Sequence, residues 1–154
     1  MTSNKTGGGI VNDTLPYVAA IARIYCKSYP LKIDLIVKKN KNNLPIKCNL
    51  LLRFKNCTMS CYLAFGIEYD NQLTFFSKSL KIKINRAFSV PVNTLMTVQY
   101  YRFSTEYEKK FVTNNSFKNF FFEVVRNITT KKFNIYHSSI LKDAKLKNKI
   151  IKFI

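Results

Sequence analysis

Basic and aromatic side chains are interleaved along several short apolar stretches, and those two residue types together are what gripping a single polynucleotide strand requires. Cations follow the phosphates, while exposed rings offer faces on which bases stack, at about 1–3 kcal/mol per base. Lys32, Lys47, Arg53, Lys55, Lys81, Lys83, Arg86 and Arg102 are the candidate cations, and Tyr62, Phe76, Tyr101 and Phe103 the candidate stacking rings. The charge balance points the same way: 26 Lys and Arg stand against 8 Asp and Glu, a net charge of +18. Self-repulsion of that size is best tolerated where a polyanion neutralises it. Drift in an AT-rich coding sequence accounts for much of the Lys, Asn, Ile and Phe, but not for the scarcity of acids.

Catalytic chemistry finds little to work with. His137 is the sole histidine and no nucleophile motif singles out a partner for it, so it reads as a surface residue at a helix entrance. The acids are scattered; Glu106 and Glu108, two apart, would share a face on a strand but read as solvated loop charges, which falls short of the clustered carboxylates a two-metal site needs. Gly7, Gly8 and Gly9 are followed by neither Lys-Ser/Thr nor a helix start, so they make no phosphate loop. Cys26, Cys48, Cys57 and Cys61 lack the two close pairs of a zinc ribbon and read as small buried hydrophobes. The expectation is a non-enzymatic protein without metal or cofactor.

The elements that must carry these side chains are mostly strands. Leu31, Ile33, Leu35 and Val37 alternate with Lys32, Asp34 and Lys38; Ile46, Cys48, Leu50, Leu52 and Phe54 with Lys47, Asn49, Arg53 and Lys55; and Leu80, Ile82 and Ile84 with Lys81, Lys83 and Asn85. Period two of this kind puts one face on a core and a basic face in water. Thr58 to Glu68 and Gln72 to Ser77 read as a hairpin closed at Tyr69 to Asn71, and Met96 to Phe103 as a further strand. Tyr17 to Lys27 leans to strand, and Phe117 to Arg126 fits either strand or helix. Ser138 or Ser139 caps a basic helix whose apolar side holds Ile140, Leu141, Ala144, Ile150 and Ile151.

With 47% hydrophobic residues the chain has enough to bury, and the spacing of turn signals predicts an all-β or β-dominated α+β domain. The expected organisation is a flexible tail over 1–15, a nucleic-acid-binding domain over 16–137 and the basic helix over 138–154. Met1 to Leu15 lacks an apolar run for a secretory signal or membrane span, so an intracellular place, in cytoplasm or at a viral replication site, is expected.

The run from Leu31 to Phe103 resembles the small OB-fold single-stranded-DNA-binding proteins in strand number, length and basic-aromatic character. It is similar in particular to those of AT-rich selfish elements, such as yeast cytoplasmic linear plasmids and insect large-DNA viruses. The resemblance implies an OB-like antiparallel barrel that coats single-stranded DNA, or RNA, during replication or expression, with self-association at a sheet edge or near Phe120. The rival readings are a basic structural or assembly protein of a virus particle or ribonucleoprotein, and a peripheral membrane protein using the C-terminal helix.

Overall fold

The computed structural model describes residues 9–132 and 134–154, with only the backbone described at Ile135. The chain divides into two compact units, one holding residues up to Ile67 together with the stretch beyond Lys132, the other Glu68–Lys132.

The first unit opens with a helix where a strand was expected. Helix α1 (Ile10–Ile21) continues through a π-helical turn, Ala22–Cys26, that ends on Lys27 in the left-handed region. The apolar residues Val11, Leu15, Val18, Ala19 and Ala22 recur at helical spacing and are buried, so the 3.6-residue period over this stretch decides the element. Gly9 starts the helix at φ 85°, and a Cβ there would stand 2.5 Å from the Pro45 carbonyl oxygen, so only glycine lets the chain enter beside Pro45. The helix thus begins at Ile10, inside the stretch expected as a tail; residues 1–8 lie outside the described residues.

Strands β1 (Lys32–Lys39), β2 (Pro45–Arg53) and β3 (Thr58–Ala64) form an antiparallel sheet in that order. Cys48, Leu50 and Leu52 are fully buried on its inner face, with Ile33 and Phe54 beside them, as the alternation predicted. They share one cluster with the buried face of α1 and with Leu146 and Ile150 of helix α3 (Asn134–Ile151). The inner face of α3 therefore differs from expectation: Ile140 and Leu141 are exposed, and Leu146 makes the contact.

The second unit is a separate antiparallel sheet, β4 (Gln72–Phe76), β5 (Leu80–Asn85), β6 (Met96–Arg102) and β7 (Thr105–Phe111), ordered as in sequence. Helix α2 (Ser116–Thr129) follows, capped by Asn115, whose side chain accepts from the Lys118 amide at 2.9 Å. The aromatic run is thus helical. The expected hairpin between Thr58–Glu68 and Gln72–Ser77 does not form, because β3 pairs with β2 and β4 with β5. Phe103 is not in a strand; with Ser104 it makes the β6–β7 turn, both at positive φ.

The all-β, OB-like barrel is therefore overturned. Among the described residues there are two open antiparallel sheets and three α-helices, and no strand pairing closes either sheet. An α/β architecture results because the helices supply much of the apolar surface that a barrel would draw from its own strands.

Candidate functional site

The residues singled out as a nucleic-acid groove divide between the two units. Lys32, Lys47, Arg53, Lys55 and Tyr62 belong to the first unit, and Phe76, Lys81, Lys83, Arg86, Tyr101, Arg102 and Phe103 to the second. Lys32 and Arg53 face each other across β1 and β2 and flank the same carboxylate: Lys32 Nζ is 3.3 Å from Asp34 Oδ1, and Arg53 Nε is 3.3 Å from Oδ2 without hydrogen-bond geometry. Lys47 sits opposite Lys38 and Tyr62 opposite Asn49, while Lys55 lies in the β2–β3 turn.

In the second unit the strand register builds a row, Phe76–Lys81–Tyr101–Glu106, across all four strands. Lys81 Nζ lies 5.7 Å from the Phe76 ring centre and 5.0 Å from that of Tyr101, so the lysine occupies faces on which bases were expected to stack. The Tyr101 hydroxyl donates to Glu106 Oε1 at 3.0 Å, which raises the pKa of the phenol. Lys83 lies in the next row, between Thr74 and Gln99. Arg86 stands over Tyr69 and Arg102 over Phe103, at 5.8 and 5.6 Å.

A different constellation, which the sequence reading missed, lies on α1. Asp13 and Tyr17 are one turn apart on the exposed side of the helix, with their Cβ atoms set about 5–6 Å apart by that spacing. Pro16, exposed between them, has no amide hydrogen, so the Asn12 carbonyl loses its helical donor. An acid, a phenol and a backbone carbonyl without its usual helical donor thus share one short stretch of helix, anchored from behind by Leu15, Val18 and Ala19. Such a set can hold a hydroxyl or carbonyl group and pass a proton to or from it. The i, i+4 pair was legible only once the segment was read as helix. His137 is exposed on α3, and among the described residues no group of three or more His, Cys, Asp or Glu side chains could hold a metal.

No protein-family model and no curated protein matches the sequence. Solved structures do share its fold. A 3-ketoreductase from Actinomadura kijaniata, solved in complex with TDP-benzene and NADP, superposes with a TM-score of 0.84 at 16% identity, covering 96% of this chain and 48% of its own. An aldose-aldose oxidoreductase from Caulobacter crescentus gives 0.77 at 17%, covering 94% of this chain and 45% of that one. A dehydrogenase from Clostridium difficile gives 0.70 at 14%, covering 94% and 48%. The chain spans about half the length of the structures it resembles.

These likenesses correct the sequence reading. The fold is that found in oxidoreductases, and the OB-fold resemblance, the non-enzymatic single-strand-binding function and the DNA or RNA partner drawn from it fall with the barrel. Among the described residues no helix is long and apolar enough to cross a membrane.

The residues present do not fit a dinucleotide. Its usual cradle is a glycine-rich turn between a strand and a helix of a parallel sheet, with the pyrophosphate at the helix N-terminus. Gly9 does lead into a helix, contrary to the sequence reading, but every strand pairing among the described residues is antiparallel. The close approach that Gly9 permits is taken by the Pro45 carbonyl of the same chain.

Proposed function

We propose that this chain is the substrate-side half of an oxidoreductase acting on sugars or related polyols, and that the dinucleotide is held by another half, on the same polypeptide or on a separate one. The observation that carries this reading is the fit of nearly the whole chain onto only half of each oxidoreductase it resembles, combined with sheets that are antiparallel throughout the described residues. In the neighbours named above the bound or processed molecules are NADP, a TDP derivative and aldoses. The net charge of +18 suits the reading, since a basic half attracts both an anionic nucleotide-sugar and the phosphates held by a partner half.

Tyr17 is the residue proposed to exchange a proton with the oxygen of the reacting carbon, and Asp13, one turn earlier, to orient it. The packed face of α1 keeps both on a fixed helix rather than a loop, which is what a proton-transfer pair needs. The Actinomadura 3-ketoreductase has been solved with a tyrosine replaced by phenylalanine and with a lysine replaced, which supports attention to a phenol in this fold.

Two measurements test the proposal. Titration of the isolated chain with NADPH, followed by nucleotide fluorescence, should show no saturable binding; micromolar saturation would overturn the division of labour. The tagged protein recovered from its native host, together with whichever half holds the dinucleotide, should carry bound NADP(H) and oxidise or reduce a sugar in a panel of aldoses, ketoses and nucleotide-sugars. Tyr17→Phe should lower kcat at least tenfold, and an unchanged kcat removes Tyr17 from the reaction.

A further inference from the structure

Every buried hydrophobic residue among the described residues belongs to the first unit. Helix α2, in the second, buries none of its residues although its two sides differ sharply. Phe117, Phe120, Phe121, Val125 and Ile128 are each 60–65% exposed, and at 3.6 residues per turn they fall, with Val124, within an arc of about 140°. Asn119, Glu123 and Arg126 take the opposite side. The Phe120 and Phe121 rings meet edge to face with centres 5.5 Å apart, so the aromatic side is one contiguous patch, and such patches mark contact surfaces. Cations sit at both ends of it. Lys118 lies in the first turn, and the helix closes on Lys131 in the left-handed region. The Lys131 and Lys132 amides donate to the carbonyls of Ile128 at 3.1 Å and Asn127 at 2.9 Å, which holds both lysines at the helix terminus. Glu123, the one acid of α2, is paired with Arg126 at 2.6 Å and so does little to repel an anion.

We propose that α2 is a membrane-docking helix that lies flat on an anionic lipid bilayer. Its phenylalanines enter the boundary between headgroups and acyl chains, while Lys118, Lys131 and Lys132 meet the lipid phosphates. At 1.5 Å per residue its 14 residues reach about 21 Å, short of a hydrocarbon core of about 30 Å, so the helix rests in the surface and does not cross. Charge selects this occupant. The net +18 draws the chain to an anionic surface, whereas a second copy carries the same +18 and is repelled. A bilayer also needs no fixed groove, only an aromatic side bounded by cations, and α2 has that form. The C-terminal helix expected for such a contact is otherwise engaged, since α3 commits Leu146 and Ile150 to the core.

The chain contains no tryptophan, so one introduced on α2 is a clean reporter. The chain carrying Phe121→Trp is mixed at physiological salt with vesicles of phosphatidylcholine alone, or of phosphatidylcholine with one quarter phosphatidylglycerol. The expected result is co-sedimentation with the anionic vesicles, a blue-shifted emission and quenching by brominated acyl chains. Asn119→Trp, on the polar side, should bind equally while its emission stays that of a ring in water. Phe121→Asp should weaken binding about tenfold with unchanged circular dichroism, since the ring it removes is exposed, and Lys131→Glu with Lys132→Glu should weaken it as well. No binding, or equal binding to both kinds of vesicle, would overturn the proposal. So would binding with both tryptophans still in water, which means adsorption by net charge alone. A concentration-dependent blue shift of Phe121→Trp without vesicles would overturn it too, because a second copy then covers the face.

Discussion

Arg23 grips Asp143 with two hydrogen bonds, Nε to Oδ1 at 2.8 Å and Nη2 to Oδ2 at 3.0 Å, joining the π-helical turn after α1 to the middle of α3. The two residues are 120 positions apart, so this fork pins the C-terminal helix onto the N-terminal one. The hydrogen bond to Asp143 also raises the pKa of the Arg23 guanidinium, which keeps it charged at all working pH values.

Because both side chains keep some contact with water, the pair is worth less than a buried one, about 1 kcal/mol. Asp143→Ala should lower the thermal midpoint by about 2–4 °C. Asp143→Asn, which still accepts one of the two bonds, should lose less. A midpoint unmoved by Asp143→Ala in a thermal melt followed by circular dichroism would mean that packing of Leu146 and Ile150 alone holds α3 in place.

Gly9 should be more sensitive than any exposed glycine, since a side chain there meets two obstacles at once. Its φ of 85° is costly for an L-residue, and the added Cβ would stand 2.5 Å from the Pro45 carbonyl oxygen, which is backbone and cannot swing away. Gly9→Ala should cost about 1–3 kcal/mol in urea unfolding. Gly66, also at positive φ but with open space around it, is the control and should lose less.

Strand alternation was readable where one face is buried and the other wet, as at Cys48, Leu50 and Leu52 of β2, because period two and burial agree there. It misled at Tyr17 to Lys27, where Val18, Ile21 and Ile24 favour strand by propensity while the 3.6-residue spacing of Leu15, Val18, Ala19 and Ala22 serves a helix packed on the sheet. β7 went unread because it carries Glu106, Glu108, Lys109 and Lys110 and is exposed throughout, so no apolar period marks it. The aromatics named for base stacking were real surface residues in part, with Tyr62, Phe76 and Phe103 exposed. Their partners were set by strand register, which no local pattern encodes: Lys81 belongs to Phe76 and Tyr101 only because β4, β5 and β6 align those positions. The Asp13 and Tyr17 pair was hidden because Asp13 fell in the stretch read as a tail and Tyr17 in the one read as a strand, while both lie on α1.

Alkaline pH should destabilise the first unit through its thiols. Desolvation pushes Cys61 up to about 12, with Cys48 adding to it, and desolvation together with the hydrogen bond to Cys57 pushes Cys26 up to about 12, against an ordinary value of 9.0. A raised folded-state pKa means the folded chain binds more protons than the unfolded one in between. The stability from these protonated thiols is whole below about pH 9 and drains away as pH rises toward 12. Urea midpoints under reducing conditions should fall as pH rises above about 9, and Cys61→Ala should flatten that fall; parallel slopes for parent and variant would remove Cys61 as a source.

Asn71 offers a sharper test in the second unit. Its Nδ2 donates to the Phe88 carbonyl at 2.6 Å and to the Tyr69 hydroxyl at 2.9 Å, while its Oδ1 accepts from the Phe88 amide at 3.0 Å. Its own carbonyl accepts from the Ala87 amide at 2.9 Å, so one residue before β4 fastens the segment that follows β5. Asn71→Ala keeps the backbone bond and loses the side-chain ones, and should cost about 1–2 kcal/mol. Asn71→Asp is nearly isosteric yet sets a second acceptor against the Phe88 carbonyl, so at neutral pH it should be at least as damaging, although a negative charge on a chain of net +18 would favour it on long-range grounds alone. Below about pH 4 the aspartic acid regains a proton to donate and the loss should shrink. Hydrogen exchange at the Ala87 amide, whose bond to the Asn71 carbonyl neither substitution removes, reads the effect locally. Faster exchange in Asn71→Asp at pH 7 than in Asn71→Ala means the local donor decides, whereas slower exchange means the field of the whole chain does.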